Sequence, residues 1–316
     1  MPSPSPSMPI EQAAAHAAAS YQPGNRETFQ LAAEDLGFFA EHGWYNAPPV
    51  LGGRAMTDAR AAVARFYQGE RTSALPPAIR ASSNWSPADG DVLRMNEFIV
   101  QQCEGVALLA LAPVIGMMAA QLLGVRGVRV FSSSLVSKPP NLTGPEDVVG
   151  WHADSAYWLT CSGRLITAWI PLADCNEESG TLLMVDGSHR WSDTSADVRA
   201  LRLGRSFRGD GADRVWSAIE KASDRVEVVA MNLRAGQVHF HDGRTLHGSA
   251  LNRSPSPRLA VIVELQELDN AYRTGLDPHS GKPYVCNTDR VCRKIDGVPD
   301  YGDPFYCPVV WAASSA

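Results

Sequence analysis

The spacing of apolar residues divides the chain into a helical first third and a strand-rich remainder. Residues 1–24 are rich in Pro, Ser and Ala and cannot bury a core; they are expected to be disordered, with at most a loose helix over Glu11–Ser20. From Arg26 to Glu41, Phe29, Leu31, Leu36, Phe38 and Phe39 approximate one apolar side of a helix, and Gly43 ends it. A second helix is expected over Ala55–Tyr67, with Ala62, Val63 and Phe66 turned inward. Leu75–Asp91 reads as a loop and Asn96–Leu123 as mostly helical, closed by Gly124.

From Val128 the period shortens to that of strands. Val128–Lys138, Leu165–Leu172, Thr181–Val185, Val226–Ala230, Gln237–His241 and Arg258–Leu265 are β-branched or alternating, and turn residues separate them. About eight short strands after an α-helical third imply a closed or sandwich-like β structure with helices packed on one side. Between the strands, residues 190–225 form a polar insertion. Arg199, Arg202, Arg205 and Arg208 recur in it every third residue, so a helix would gather them on one side. Asp193, Asp197, Asp210, Asp213 and Asp224 lie in the same segment. A solvated, self-neutralising lid is the expectation; the alternative is a basic face that receives an anionic substrate. Residues 269–316 form a C-terminal extension that wraps the β structure or covers its mouth.

The composition is that of a globular protein, at 45% hydrophobic and 20% charged residues in a chain of 316. A net charge of −6 without a basic block argues against nucleic acid or an anionic membrane as partner. The apolar stretch Val106–Leu123 is interrupted by Pro113, Gly116 and Gln121 and reads as a buried helix. No charged segment followed by an apolar one opens the chain, so a cytoplasmic location is expected. None of the six cysteines forms a C-x-x-C or zinc-finger spacing, and most are expected reduced and buried.

The candidate chemistry centres on Gly150-Trp151-His152-Ala153-Asp154-Ser155-Ala156-Tyr157-Trp158. On a strand, His152 and Asp154 would project to one face. An imidazole beside a carboxylate supplies two members of a 2-His-1-carboxylate facial triad, which holds non-haem Fe(II) and leaves positions open. His239, His241 and His247 compete for the third place, and spacing alone does not choose among them.

The surroundings of these residues narrow the reading. Lys138-Pro139-Pro140, Ser179-Gly180-Thr181-Leu182, Gly187-Ser188-His189, His247-Gly248-Ser249 and the following Arg258 together resemble the phytanoyl-CoA dioxygenase family of Fe(II)/2-oxoglutarate oxygenases. The resemblance runs from about Gly37 to Gln266. It implies a double-stranded β-helix, the jelly-roll or cupin-like fold, over residues 25–268. It also implies the third ligand, His247, and leaves His189 and His239 structural. Iron(II), 2-oxoglutarate and O2 are the implied cofactors, with release of succinate and CO2.

Arg258 would clamp the far carboxylate of 2-oxoglutarate, because a guanidinium binds a carboxylate through two donors and stays charged when buried. Ser249, Trp169 and Lys138 are the other expected co-substrate contacts. Tyr157, Trp158 and His241 are the expected substrate-side residues, and the 75–91 loop borders the mouth. Related iron halogenases carry Ala or Gly in place of the carboxylate, so Asp154 favours hydroxylation or a related oxidation. The expected substrate is a small molecule, a secondary metabolite rather than an acyl-CoA, acted on by a monomer or a homo-oligomer. Two rivals are an oxygen-independent cupin-type isomerase or hydrolase and a non-catalytic binding protein.

Overall fold

The computed structural model describes residues 29–313 apart from 77–78, 80–83, 142, 145–146, 205–211 and 224. The expected disordered segment 1–24, Arg205 and Arg208 lie outside the described residues. The strands in chain order are β1 (Trp44–Asn46), β2 (Arg94–Glu97), β3 (Gly127–Lys138), β4 (Val149–His152), β5 (Leu165–Pro171), β6 (Leu182–Val185) and β7 (Val228–Ala230). They continue with β8 (His239–Asp242), β9 (His247–Ser249), β10 (Arg258–Glu267), the small hairpin β11 (Lys294–Ile295) and β12 (Val298–Pro299), and β13 (Val309–Ala312).

A major antiparallel sheet runs β1-β8-β5-β10-β3-β13, with β2 also on β3; a minor sheet runs β4-β9-β6-β7. Cross-strand partners share a face of a sheet, so the register sorts the major sheet into two sides. One side carries Tyr45, Phe240, Ile166, Ala168, Ile170, Val261, Val263 and Leu135, which pack with the N-terminal helices into the largest core. The other side carries polar side chains in rows. One row reads Trp44, His241, Thr167, Glu264, Ser132. The next reads Asn46, His239, Trp169, Ile262, Ser134 and Glu97. This polar face looks toward the minor sheet. The architecture is the expected double-stranded β-helix with helices packed on one side.

Two helical expectations are corrected. The first helix is Ala33–His42, shorter than the apolar pattern suggested. Gln121 takes the Leu31 N–H at 2.9 Å and donates to the Phe29 carbonyl at 2.9 Å, so residues 29–31 spend their backbone groups outside a helix. Asn96 lies in β2, and the helical run after it is broken into Ile99–Gln102, Glu104–Ala110 and Pro113–Leu123. Pro113 cannot continue the preceding helix, and the last two pieces meet at 43°. No single helix among the described residues is long and apolar enough to cross a membrane.

The insertion packs an apolar face on the protein and leaves most of its described polar residues exposed. Its helices Ala196–Leu203 and Ala212–Ala222 bury Leu201 and Ile219 against Ala153, Val185 and Leu246, and Trp216 packs on Trp151 with ring centroids 5.5 Å apart. Arg202 is buried; it donates to the carbonyls of Ser188, His189 and Trp191 and pairs with Asp193. Arg199 donates to the carbonyls of Asp193 and Thr194. After residue 269, β13 joins the major sheet beside β3. All six cysteines are unbonded and only Cys286 is not buried.

Gly43 connects the first helix to the site. It caps Ala33–His42 in the left-handed region at φ 77, where a side chain is disfavoured. Its carbonyl accepts from the Asp242 N–H at 2.9 Å and the Thr245 hydroxyl at 2.9 Å, which fixes the turn leading to His247. A Cβ at this position would lie 2.3 Å from the His189 ring. Gly43→Ala should therefore destabilise the protein by about 2 kcal/mol or more, read as a lower midpoint in urea unfolding.

Candidate metal centre

His152 and His247 face each other as cross-strand partners on β4 and β9, with Met184 of β6 beyond His247. The two sequence neighbours His152 and Asp154 do not share one strand, which corrects the initial geometry. β4 ends at His152, and Asp154 opens a short 3-10 turn, Asp154–Tyr157. Ala153 between them stays extended at φ −117 and ψ 137, so the alternation of a strand carries one residue further and both side chains point inward. The Ser155 N–H then bonds the Gly243 carbonyl at 2.8 Å and pins the turn to the loop before His247.

The hydrogen bonds fix which atoms face the centre. The Nδ1 of His152 lies 2.8 Å from the Gly150 carbonyl, and that of His247 lies 3.0 Å from the Thr245 carbonyl. A carbonyl only accepts, so both rings carry the proton on Nδ1 and turn an Nε2 lone pair inward. These Nε2 atoms stand 3.6 and 3.5 Å from the same oxygen, Asp154 Oδ1. The other oxygen, Oδ2, accepts from the Thr167 hydroxyl at 2.6 Å and from His241 Nε2 at 2.9 Å. One carboxylate oxygen is thus held by protein donors while the other is left to the two imidazoles. One donor atom from each of His152, Asp154 and His247 lies within 4.8 Å of the others, and all three residues are buried.

The electrostatics prepare the same atoms. Burial would raise the Asp154 carboxyl, but His247, the hydrogen bond from His241 and His152 hold it well below the usual carboxylate range. Burial, reinforced by His152, pushes His247 down to about 3, and burial also lowers His152. The centre is one carboxylate and two neutral imidazoles, the protonation state a metal requires.

The other expected residues separate into groups. His241 lies beside the triad, on the outer oxygen of Asp154. His239 is bound through Nδ1 to Asn46 Oδ1 at 2.7 Å and stands off the cluster. Arg258 is buried at one end of β10; its Nε donates to the Gly180 carbonyl at 3.2 Å, and its Nη1 has no hydrogen-bond partner among the described residues. Its guanidinium carbon sits 5.5 Å from the ring centroid of Trp169. The Ser249 hydroxyl, also buried, lacks a partner as well.

Lys138 pairs with Arg258 across the sheet, yet its Nζ donates to the carbonyls of Ser249 and Ala250. Burial, followed by Arg258, lowers it to about 6. It therefore anchors the segment that follows His247. Tyr157 lies edge-on to His152, centroids 6.1 Å apart. Trp158 is packed with Phe131, Cys161, Leu165 and Tyr301 and fills the space over Gly243, so its ring belongs to an aromatic core rather than to an open wall. The 75–91 loop is partly outside the described residues.

Two residues at the centre were missed from the sequence. Thr167 is the one polar residue in the strand Leu-Ile-Thr-Ala-Trp-Ile-Pro, and Glu264 is the one charged residue within Ala-Val-Ile-Val-Glu-Leu. A lone polar residue inside an apolar strand is the signal for both.

The chain is similar to known proteins in both sequence and fold. A family model described as phytanoyl-CoA dioxygenase (PhyH) matches residues 41–260. The ectoine dioxygenase of Bordetella parapertussis is 30% identical over 192 residues, 57% of this chain and 60% of that protein. The chain thus spans about half to three-fifths of the length of the curated relatives it matches. The crystal structure of SnoK, a non-haem alpha-ketoglutarate-dependent carbocyclase from nogalamycin biosynthesis, superposes with a TM-score of 0.61 at 28% identity, over 84% of this chain and 96% of that one. EctD from S. alaskensis, solved with 2-oxoglutarate and 5-hydroxyectoine, shares the fold with a TM-score of 0.60 at 18% identity, over 83% of this chain and 87% of that one. With a family match that covers well over half of the chain and a buried His-Asp-His cluster inside it, the protein belongs to the phytanoyl-CoA dioxygenase (PhyH) family.

Proposed function

We propose that this protein is an Fe(II)- and 2-oxoglutarate-dependent dioxygenase that oxidises a C–H bond of a small molecule, with His152, Asp154 and His247 as the metal ligands. The observation that carries this reading is the divided carboxylate of Asp154. Its outer oxygen is satisfied by Thr167 and His241, and its inner oxygen meets two neutral imidazole nitrogens. Three ligands on one side leave the remaining positions open, as a facial triad requires. The orphaned Arg258 Nη1 and Ser249 Oγ supply what a buried carboxylate of 2-oxoglutarate needs. When bound, iron and 2-oxoglutarate supply the oxidising power, with succinate and CO2 as co-products; the protein supplies orientation and exclusion of water.

Trp169 packs beside the guanidinium of Arg258, and Lys138 holds the Ser249–Ala250 segment from which the hydroxyl projects. His241 positions Asp154, and Tyr157 flanks the open side of His152. Arg199 and Arg202 spend their donors on their own chain, which argues against an anionic acyl-CoA and supports a smaller substrate such as a secondary metabolite.

Anaerobic addition of iron(II) and then 2-oxoglutarate should give a weak visible charge-transfer band only when both are present. Absence of the band in a folded, iron-loaded protein would turn the reading toward an oxygen-independent metal enzyme. Asp154→Ala should lose the band while its circular dichroism stays that of the wild type. Arg258→Ala should still bind iron but need about a hundredfold more 2-oxoglutarate for half of the band, the loss of one charge-assisted contact of ~3 kcal/mol.

Metal affinity should also depend little on pH. A protonated imidazole cannot ligate, so affinity is lost as pH falls through the folded pKa of each ligand. Burial has lowered both imidazoles, His247 to about 3, so the loss is displaced below the neutral range. Between pH 8 and pH 6 the iron dissociation constant should change by less than about twofold, where two ordinary imidazoles would weaken it about tenfold. Competition titration with a chelator measures this.

A further inference from the structure

Glu264 is a carboxyl inside the chamber that the proposed chemistry does not use. It lies in the same cross-strand row as Thr167 and His241, the two residues that hold Asp154, so its side chain enters the space in front of the triad. It keeps solvent contact although protein surrounds it, as expected of a group lining an interior chamber. Arg258 stands at the opposite end of the same strand, about 20 Å away along it. Glu264 thus stands level with the residues that hold Asp154, and the co-substrate end lies further along the strand.

The far side of this space is closed by the C-terminal extension. Asn287 donates to Glu97 at 2.5 Å, and the Tyr284 hydroxyl bonds the Tyr157 carbonyl at 3.2 Å. Glu97 belongs to the same face of the sheet as Glu264.

No basic side chain among the described residues pairs with Glu264. Its charged neighbours are Asp154 and Glu97, both of the same sign, and burial together with these two pushes its carboxyl up to about 8. The Trp158 indole, 6% exposed, and the Ser132 hydroxyl face it and favour its charged form, but both are neutral groups and supply no opposite charge. The charges of iron(II), Asp154, the two carboxylates of 2-oxoglutarate and Arg258 cancel, so assembly of the cofactor site leaves Glu264 without an opposite charge. A buried carboxylate in that position is costly unless something cationic meets it.

We propose that Glu264 is the substrate-recognition carboxylate of the chamber and that the substrate carries a cationic nitrogen, an amine or amidine, which pairs with it. This rests on the oxygenase reading for the identity of the chamber, and goes beyond it in naming the substrate class. A neutral hydroxyl would also bond a carboxylate, but only a cation supplies the opposite charge that the assembled cofactor site leaves missing, and Glu97 is a further negative group beside Glu264.

The test uses the full chain, loaded anaerobically with iron(II) and 2-oxoglutarate. The charge-transfer band reports the cofactor site first, so its failure counts against the oxygenase reading alone. Matched amine and alcohol probes, cyclohexylamine against cyclohexanol and benzylamine against benzyl alcohol, are then titrated into wild type and Glu264→Gln. Binding is followed through the band and, in metal-free protein, through tryptophan fluorescence.

The amines should act at concentrations at least about tenfold lower than the alcohols in wild type, and the gap should shrink to within about twofold in Glu264→Gln. No amine preference in wild type, or one retained in the variant, would overturn the proposal. Melting of the metal-free proteins gives a substrate-independent arm. Glu264→Gln should melt at the same or a higher temperature than wild type, because the amide relieves an unpaired carboxyl. A clearly lower melting temperature would make Glu264 a structural hydrogen-bonding residue instead.

Discussion

The centre depends on how the two oxygens of Asp154 are divided. A buried carboxylate must be neutralised or hydrogen-bonded, and here the work is split between two sheets. The minor sheet brings the imidazoles of His152 and His247 to one oxygen, and the major sheet brings Thr167 and His241 to the other. Neither sheet alone gives the carboxylate its full set of partners. The interaction that prepares a ligand for a metal is also one that holds the halves of the β-helix in register.

The same economy governs the cations. Arg258 and Lys138 are buried partners across β10 and β3, each with its charged form penalised by burial. Lys138 answers with backbone carbonyls, while Arg258 keeps one nitrogen uncommitted. That difference separates a residue that stabilises the chain from one with capacity left for a ligand. An unsatisfied buried donor lowers stability in the free protein, and is retained where binding recovers the cost.

Much of this was legible in the sequence because the chemistry uses rare residue types in fixed contexts. The strand alternation around Val128–Lys138 and Arg258–Leu265 announced the major sheet, and Gly43 and Gly124 announced two helix ends. The choice of His247 over His239 and His241 came from family resemblance, since the three are close in sequence and all end up buried. What separates them is register: His241 lands opposite Thr167, and His247 opposite His152. Register is set by long-range pairing, which local spacing does not encode. The late start of the first helix has the same origin, since Gln121 lies ninety residues from Leu31. In the insertion, arginines and aspartates were read only as charges, whereas Arg202 pairs with Asp193 and is also buried as a donor to three carbonyls.

In the major sheet the earliest strand, β1, occupies one edge, and the latest, β13, occupies the other. Every neighbouring pair along that path joins segments distant in sequence. Such a topology has high contact order, so loop-closure entropy must be overcome before pairing returns free energy, and assembly is correspondingly slow. During synthesis only β2 among the partners of β3 precedes it, and β10 and β13 emerge long afterwards. Until then its ladder is an open template on one side, and the helices preceding it are the elements available to shield it.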